Sequence, residues 1–455
     1  MSTDYSDLLI TAGLSAGAAV AKAPLFAEAA RVLEANGGAG QAPLALFVPG
    51  RVEVLGKHTD YAGGRSLLCA IERGMCVLTR PRTDRMIRVS DARAHDEVSF
   101  AFDAHLEPPL GHWSNYPMTV ARRLARNFPN ARGGADIAFA SDLPLSAGVS
   151  SSSALVVAIY LALDAVNDFA QQPAYAREIS NRESLASYLG CVENGESFGT
   201  LAGDLGVGVF GGSEDQTAIL CCKPRTVSQY AFCPVRAEGT VALPAGYTFA
   251  IANSGVLAEK AGAAREAYNR ASVATRVIVR RWNAATGRSD ASLAAAAESS
   301  TDASDRLREI LRAAGGAADA QYEVQTLLDR FDQFVHESLR IIPAARASLE
   351  CGDLARFGTL VDESQGNVER WLGNQIPETI ALQRQARELG AVAASAFGAG
   401  FGGSVWAMVR EHDADAFAAS WSARYHAAFP AAGPEAQVFV TGAGPAAVRL
   451  TNLSS

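Results

Sequence analysis

The chain has 455 residues, of which 49% are apolar and 19% charged, and its formal net charge is −8. That length exceeds one ordinary core and predicts two domains, while the composition excludes a disordered chain. The acidic balance offers no basic field for a polyphosphate backbone, so nucleic acid is not expected as a partner and any phosphate site must be local.

Residues 1–40 are Ala-rich and predict a helical extension. The apolar-leaning stretch 8–23 follows Asp4 and Asp7 instead of a cationic segment, which argues against a secretory signal. No run reaches the roughly 20 apolar residues of a membrane span, so no membrane partner is expected. Seven cysteines stand at 69, 76, 191, 221, 222, 233 and 351 without a C-x-x-C pair or a His at ligand spacing. They predict reduced, mostly buried thiols of a cytoplasmic protein.

The apolar run 44–48 predicts a strand emptying into a polar loop, Gly50-Arg51-Val52-Glu53-Val54-Leu55-Gly56-Lys57-His58-Thr59-Asp60-Tyr61-Ala62-Gly63-Gly64. A core strand does not need two cations, a His, carboxylates and a phenol, so this segment predicts a binding loop. It imitates a Walker A loop, but five residues separate Gly50 from Gly56, and His58 follows Lys57 where Ser or Thr is required. Strands are predicted at 77–80, 87–90, 98–102 and 137–140, and helices at 113–127, 154–166 and 177–198.

The second motif is Asp142-Leu143-Pro144-Leu145-Ser146-Ala147-Gly148-Val149-Ser150-Ser151-Ser152-Ser153-Ala154-Leu155. Its serines precede an apolar helix whose first turn has no acid. A helix N-terminus carries unpaired N–H groups and a positive dipole end, so it binds phosphate without a local Lys. The serines can cap those groups, bond phosphate oxygens or offer a hydroxyl to Mg²⁺. A plain N-cap needs only one Ser.

After the glycine-rich stretch 199–212 comes Gly211-Gly212-Ser213-Glu214-Asp215-Gln216, followed by a predicted strand at 217–222 paired with another at 247–252. Two adjacent acids there can hold a general base, although turn acids are commonly only solvated. From residue 259 long helical patterns dominate, at 259–284, 289–313, 321–349, 353–371 and 378–389, and place the domain boundary near 246. Gly398-Ala399-Gly400-Phe401-Gly402-Gly403 satisfies G-x-G-x-x-G, yet a predicted strand (404–409) follows instead of the helix a dinucleotide fingerprint requires. A helix at 414–429 and a last strand at 436–441 close the chain.

The three glycine/serine motifs near 50, 148 and 398 resemble, in order and spacing, those of the GHMP kinases, and the first resembles the galactokinase signature. Trp113-Ser114-Asn115-Tyr116, Asn253-Ser254-Gly255-Val256 with Tyr268-Asn269-Arg270, Glu363-Ser364 and Pro377-Glu378 extend the likeness over roughly residues 45–410. The resemblance implies an α/β (α+β) fold with an N-terminal domain over 41–246, a mixed ribosomal-S5-like sheet with helices. A helix-rich ferredoxin-like C-terminal domain follows over 247–455, with the active-site cleft between the two.

It also implies an ATP-dependent sugar 1-kinase using ATP and Mg²⁺, a monomer or weak homodimer. Asp215 matches the family's base and Arg51 the cation beside it, which would keep Asp215 ionised and stabilise the transferring phosphoryl group. Gly148, Ser150, Ser151 and Ser152 would wrap the phosphates, with Gly400 and Gly402 lining the sugar and phosphate side. Ser152 and Glu193 fall near the metal ligands, with Glu196 competing. Lys57, His58, Asp60, Gly212 and Tyr268 match sugar contacts.

Lys57 departs from the family, which places Glu there to accept from a sugar hydroxyl; Lys offers donors and a positive charge instead. It can serve galactose through a rearranged contact or a pairing with Glu53, welcome the carboxylate of a uronic acid, or point away. A reading of another class is a non-catalytic sugar sensor, since such regulators share this fold; the full-length serine motif, Arg51 and Asp215 argue against it.

Overall fold

A computed structural model describes residues 4–37, 42–144, 148–256, 263–313, 322–433 and 435–450. Residues 145–147 of the serine motif, 259–262 of the first long helical pattern and 38–40 of the N-terminal extension lie outside the described residues.

Strands β1 (Leu44–Leu55), β2 (Arg65–Pro81), β3 (Met86–Asp91), β4 (Asp96–Ala101), β5 (Ala135–Ser141), β6 (Thr226–Ala231) and β7 (Arg236–Ala242) belong to a first, mixed sheet. Strands β8 (Tyr247–Asn253), β9 (Ala393–Phe397), β10 (Ser404–Arg410) and β11 (Val438–Thr441) form a second, antiparallel one in the order β11-β8-β10-β9. The terminal strand β12 (Val448–Leu450) returns to the first sheet, whose order is β12-β1-β2-β5-β3-β4 with β6 on β2 and β7 on β6. The chain therefore does not close on the strand expected at 436–441.

Alternation along the first sheet sends side chains to two cores. Leu46, Val48, Met75, Val77, Ile137 and Phe139 pack toward the helices Asn115–Asn127, Ser151–Asn167 and Arg182–Asn194. Their neighbours Ala45, Phe47, Cys76, Leu78, Ala138 and Ala140 pack on Leu25, Phe26, Ala29 and Leu33 of the helix Ala23–Ala35. The period of two sends neighbouring side chains to opposite faces, and both faces are apolar because helices cover each, the N-terminal helix covering the second.

Two expectations change in this domain. The segment 217–222 is not a strand: residues 217–221 belong to the helix Glu214–Cys221, and Cys222 caps its end. Its short apolar run fits either period, and the two acids at the start favour a helix N-terminus, where the dipole welcomes negative charge. The polar segment from Gly50 is also not loop throughout. β1 runs on to Leu55, and its register against β2 shifts between Pro49 and Arg51 and again between Glu53 and Leu55. Irregularities of this kind re-aim side chains, and Arg51 and Glu53 sit between them.

The long helical patterns are more broken than expected. The pattern at 321–349 becomes Val324–Phe334, a π-helical stretch Val335–Ile341 and Ile342–Glu350. That at 353–371 ends in a second π-helical stretch, Val368–Leu372. The first wide turn aims Glu337 and Ser338 at the β1–β2 connection, where they accept hydrogen bonds from the backbone N–H groups of Gly56 (2.9 Å) and Arg65 (2.9 Å). The helices Ala263–Thr286, Ala303–Ala313 and Val324–Phe334 bury their own cluster, including Trp282, Leu307, Leu311 and Phe331. Among the described residues no helix is long and apolar enough to cross a membrane.

Candidate active site

A cavity of about 470 Å³ opens between the two sheets. Arg51 enters it from β1, buried to 4% exposure, and donates from Nε to Asp215 Oδ1 (2.7 Å) and from a terminal nitrogen to the Gly148 carbonyl (2.5 Å). Burial opposes the guanidinium charge, but the carboxylates of Asp215, Glu214 and Glu53 outweigh it and raise its titration. The cation thus stays charged and ties the acid of one motif to the glycine turn of another.

Ser153 continues the chain. Its hydroxyl lies 3.1 Å from Asp215 Oδ2 and 2.9 Å from Glu193 Oε2, and Gln216 Nε2 donates to that same Glu193 oxygen at 2.6 Å. Both Asp215 oxygens are therefore oriented by neighbours. Ser153 and Gln216 were missed as individual site residues, although both stood inside recognised motifs; only the fold shows which serine turns inward.

The serine motif forms the N-terminus of the helix Ser151–Asn167, which has no acid in its first turn and no side-chain cap. Gly148 takes φ +69°, open to glycine at little cost. The capping position falls to Ser150, itself left-handed, and its Oγ is buried with no hydrogen-bond partner among the described residues. An uncapped helix start with an orphan hydroxyl is suited to an anion. Ser151 and Ser152 line the cavity there with Ser150. Beyond them Met75, Trp113, Tyr116 and Phe139 supply an apolar wall.

The opposite wall holds His58, Asp60, Gly212 and Tyr268, all lining the cavity. His58 Nδ1 meets the Tyr61 hydroxyl at 2.8 Å and Nε2 the Ala399 carbonyl at 3.0 Å, so both ring nitrogens are engaged by protein. Burial and Arg330 push its titration down to about 3, which keeps the imidazole neutral. The ring packs 4.8 Å from that of Tyr268, centre to centre. Asp60 Oδ2 accepts from the Glu214 N–H at 3.2 Å, and burial raises its titration to about 6. A Cβ on Gly212 would stand 2.4 Å from that same oxygen, so only glycine lets the two segments approach.

Lys57 does not join this wall. Its side chain is buried and its ammonium donates to Ser364 Oγ at 3.2 Å, away from the residues that line the cavity. Glu53 and Glu214 face the cavity instead, both buried, with Glu214 Oε2 accepting from Ser66 Oγ at 2.6 Å. Glu53 was missed as a site residue although it stands inside the first motif, because its place on the cavity is a tertiary fact. Gly398 and Gly400 line the site, whereas Gly402 is not among the lining residues. Glu193 lines the cavity, while Glu196 turns outward to Arg276 (2.7 Å).

The galactokinase galactose-binding signature matches residues 37–81, the GHMP kinase N-terminal domain matches 115–220 and the GHMP kinase C-terminal domain matches 341–427. A galactokinase of Roseiflexus sp. (strain RS-1) is 30% identical over 403 residues, covering 86% of this chain and 89% of that protein. One from Chloroflexus aggregans is 29% identical over 382 residues, 83% of this chain and 86% of that protein. The crystal structure of Lactococcus lactis galactokinase complexed with galactose superposes with a TM-score of 0.73 at 23% identity, covering 93% of this chain and 99% of that one. The mixed α/β fold with N- and C-terminal domains is thus the GHMP kinase fold, and the chain belongs to the galactokinase family of ATP-binding GHMP sugar kinases.

Proposed function

We propose that this protein transfers the ATP γ-phosphate to the anomeric hydroxyl of galactose or a close neutral relative. The observation that carries this reading is the chain Arg51–Asp215–Ser153–Glu193, which spans from the acidic wall to the uncapped helix. Asp215, gripped on both oxygens, accepts the proton of the anomeric hydroxyl as that oxygen bonds to the γ-phosphorus and the bond to the departing ADP oxygen breaks. Arg51 stays charged beside it and offsets the negative charge spread over the phosphoryl group. The helix N-terminus and Ser150–Ser152 receive the phosphates, and the apolar wall around Trp113 and Phe139 receives the base of the nucleotide.

The donor set fits magnesium. Ser152 and Glu193 offer hard oxygens at the phosphate end, and Glu193 is aimed by Ser153 and Gln216. Among the described residues no three His, Cys, Asp or Glu side chains gather into a cage, which suits an ion that keeps phosphate oxygens as ligands. Bound there, Mg²⁺ neutralises charge on the ATP phosphates.

The sugar wall supports a neutral acceptor over a uronic acid. Glu53, Asp60, Glu214 and Asp215 all face the cavity, while Lys57 is spent on Ser364. A uronate carboxylate would meet these acceptor oxygens and not the Lys57 ammonium. The test is ADP production by the purified protein with Mg-ATP against galactose, N-acetylgalactosamine, glucose, arabinose, galacturonate and glucuronate, with Asp215→Asn as control. Turnover of galactose that disappears in the control is expected. Turnover on a uronate alone overturns the sugar, and turnover on none overturns the kinase reading in favour of a sensor.

A further inference from the structure

Glu53 is 3% exposed and lines the cavity two residues from Arg51 on the same strand. Its Oε2 accepts from the Gly398 N–H at 3.1 Å, whereas Oε1 is buried and, among the described residues, is offered no donor beyond a proton shared with the Glu214 carboxyl. A carboxylate has about four acceptor positions. Gly398 fills one, and a proton shared with the facing Glu214 carboxyl fills at most another. Burial raises the Glu53 titration to about 7, held from going higher by Lys57 and Arg51. An oxygen so placed is costly unless a donor reaches it, and the cavity that Glu53 lines is the place from which one can come.

Building on the sugar-kinase reading above, we infer that Glu53 is the specificity-determining residue of this site, its Oε1 accepting a hydrogen bond from one hydroxyl of the bound sugar. The acceptor chemistry expected at position 57 is supplied from the strand at position 53. Lys57, behind the wall, contributes its charge to Glu53 through the protein and none of its donors to the cavity. Arg51 and Lys57 already oppose the Glu53 charge, so the site needs a donor and not another cation. A neutral hydroxyl meets that need.

The experiment is a cycle between Glu53→Gln and the 2-, 3-, 4- and 6-deoxy analogues of galactose, read as kcat/KM. Gln keeps the shape but replaces an ionised acceptor with a weaker amide. Glu53→Gln is expected to lose about 10- to 100-fold on galactose, with KM for ATP little changed. On the one analogue lacking the partner hydroxyl, wild type and variant should differ less than about threefold. An equal loss on every analogue, or no loss on galactose, overturns the assignment. If Glu53→Gln does not fold, Glu53→Asp withdraws the oxygen by one methylene and runs the same cycle. If wild type turns over no sugar, the kinase reading has failed, and the cycle is read from sugar affinity by calorimetry. There the same single-analogue coupling supports Glu53, uniform affinity overturns it, and absence of all sugar binding overturns both.

Discussion

Arg51 Nε lies 2.7 Å from Asp215 Oδ1 across 164 positions of chain, and the same guanidinium holds the Gly148 carbonyl. One buried cation therefore joins three separate motifs. Asp215→Asn keeps the shape but cannot take the proton, and kcat is expected to fall about 10³-fold. Arg51→Lys has no planar fork to serve both partners and should lower kcat about 10²-fold. Steady-state ADP release with saturating ATP measures both, and a loss under tenfold for Asp215→Asn would remove it as the base.

Ser150 Oγ is buried and unbonded, so removing it sacrifices no internal hydrogen bond. Ser150→Ala should leave urea stability within about 0.5 kcal/mol of wild type. If the hydroxyl waits for phosphate, KM for ATP rises about three- to tenfold while KM for sugar holds. An unchanged KM for ATP would assign Ser150 to the turn alone.

Lys57 and Glu53 oppose each other in charge inside the protein. Lys57→Met should destabilise by about 2–4 kcal/mol by stranding that carboxylate. In the double variant with Glu53→Gln the cost should be smaller than the sum of the singles. Chemical denaturation decides this, and strict additivity would show that the two do not communicate. Lys57→Met is also expected to gain no activity on galacturonate.

Stability should fall as pH rises through the weakly acidic range. Burial raises Glu53 from 4.5 to about 7 and Asp60 from 3.8 to about 6. Below the lower values both states are protonated and the groups contribute nothing to the slope. Between the lower and upper values the native state binds more protons than the unfolded one, so unfolding free energy declines with pH. Above about 7 these two groups no longer contribute to the slope. Thermal melts of ligand-free protein from pH 4.5 to 8 test this, and Glu53→Gln should flatten the upper part of the decline. A melting temperature that rises from pH 5 to 7 in proportion to these groups would contradict the burial argument.

Lys22, in the N-terminal segment, is 1% exposed and its ammonium binds Asp142 at the head of the serine motif. Asp142 also accepts from the Gly74 N–H at 2.7 Å. Lys22→Met should cost about 2 kcal/mol, discounted because Asp142 is partly solvated. Since Asp142 stands six residues before Gly148 of the turn proposed to receive phosphate, KM for ATP should rise with it. Stability loss without any change for ATP would confine Lys22 to holding the N-terminal segment.

Much of the site was legible in the chain because its chemistry is local. Gly148 through Ser153 declares a helix start, Arg51 and Asp215 stand in motifs whose residue types have no use in a core, and Leu46, Val48, Val77 and Ile137 alternate as a buried sheet must. The helix at 214–221 was not legible, because a short apolar run satisfies both periods and only its packing decides between them. Nor were the two π-helical stretches, the first of which carries Glu337 and Ser338 to the backbone of a distant hairpin. The same holds for residues 53 and 57. Sequence determined that a Glu and a Lys stand there, but the direction of Glu53 follows from the irregular register of β1 against β2, and that of Lys57 from the turn beyond β1, where its ammonium meets Ser364. That register depends on a strand pairing and on contacts hundreds of residues away, so the tertiary structure alone decided that Glu53 faces the cavity and Lys57 the interior.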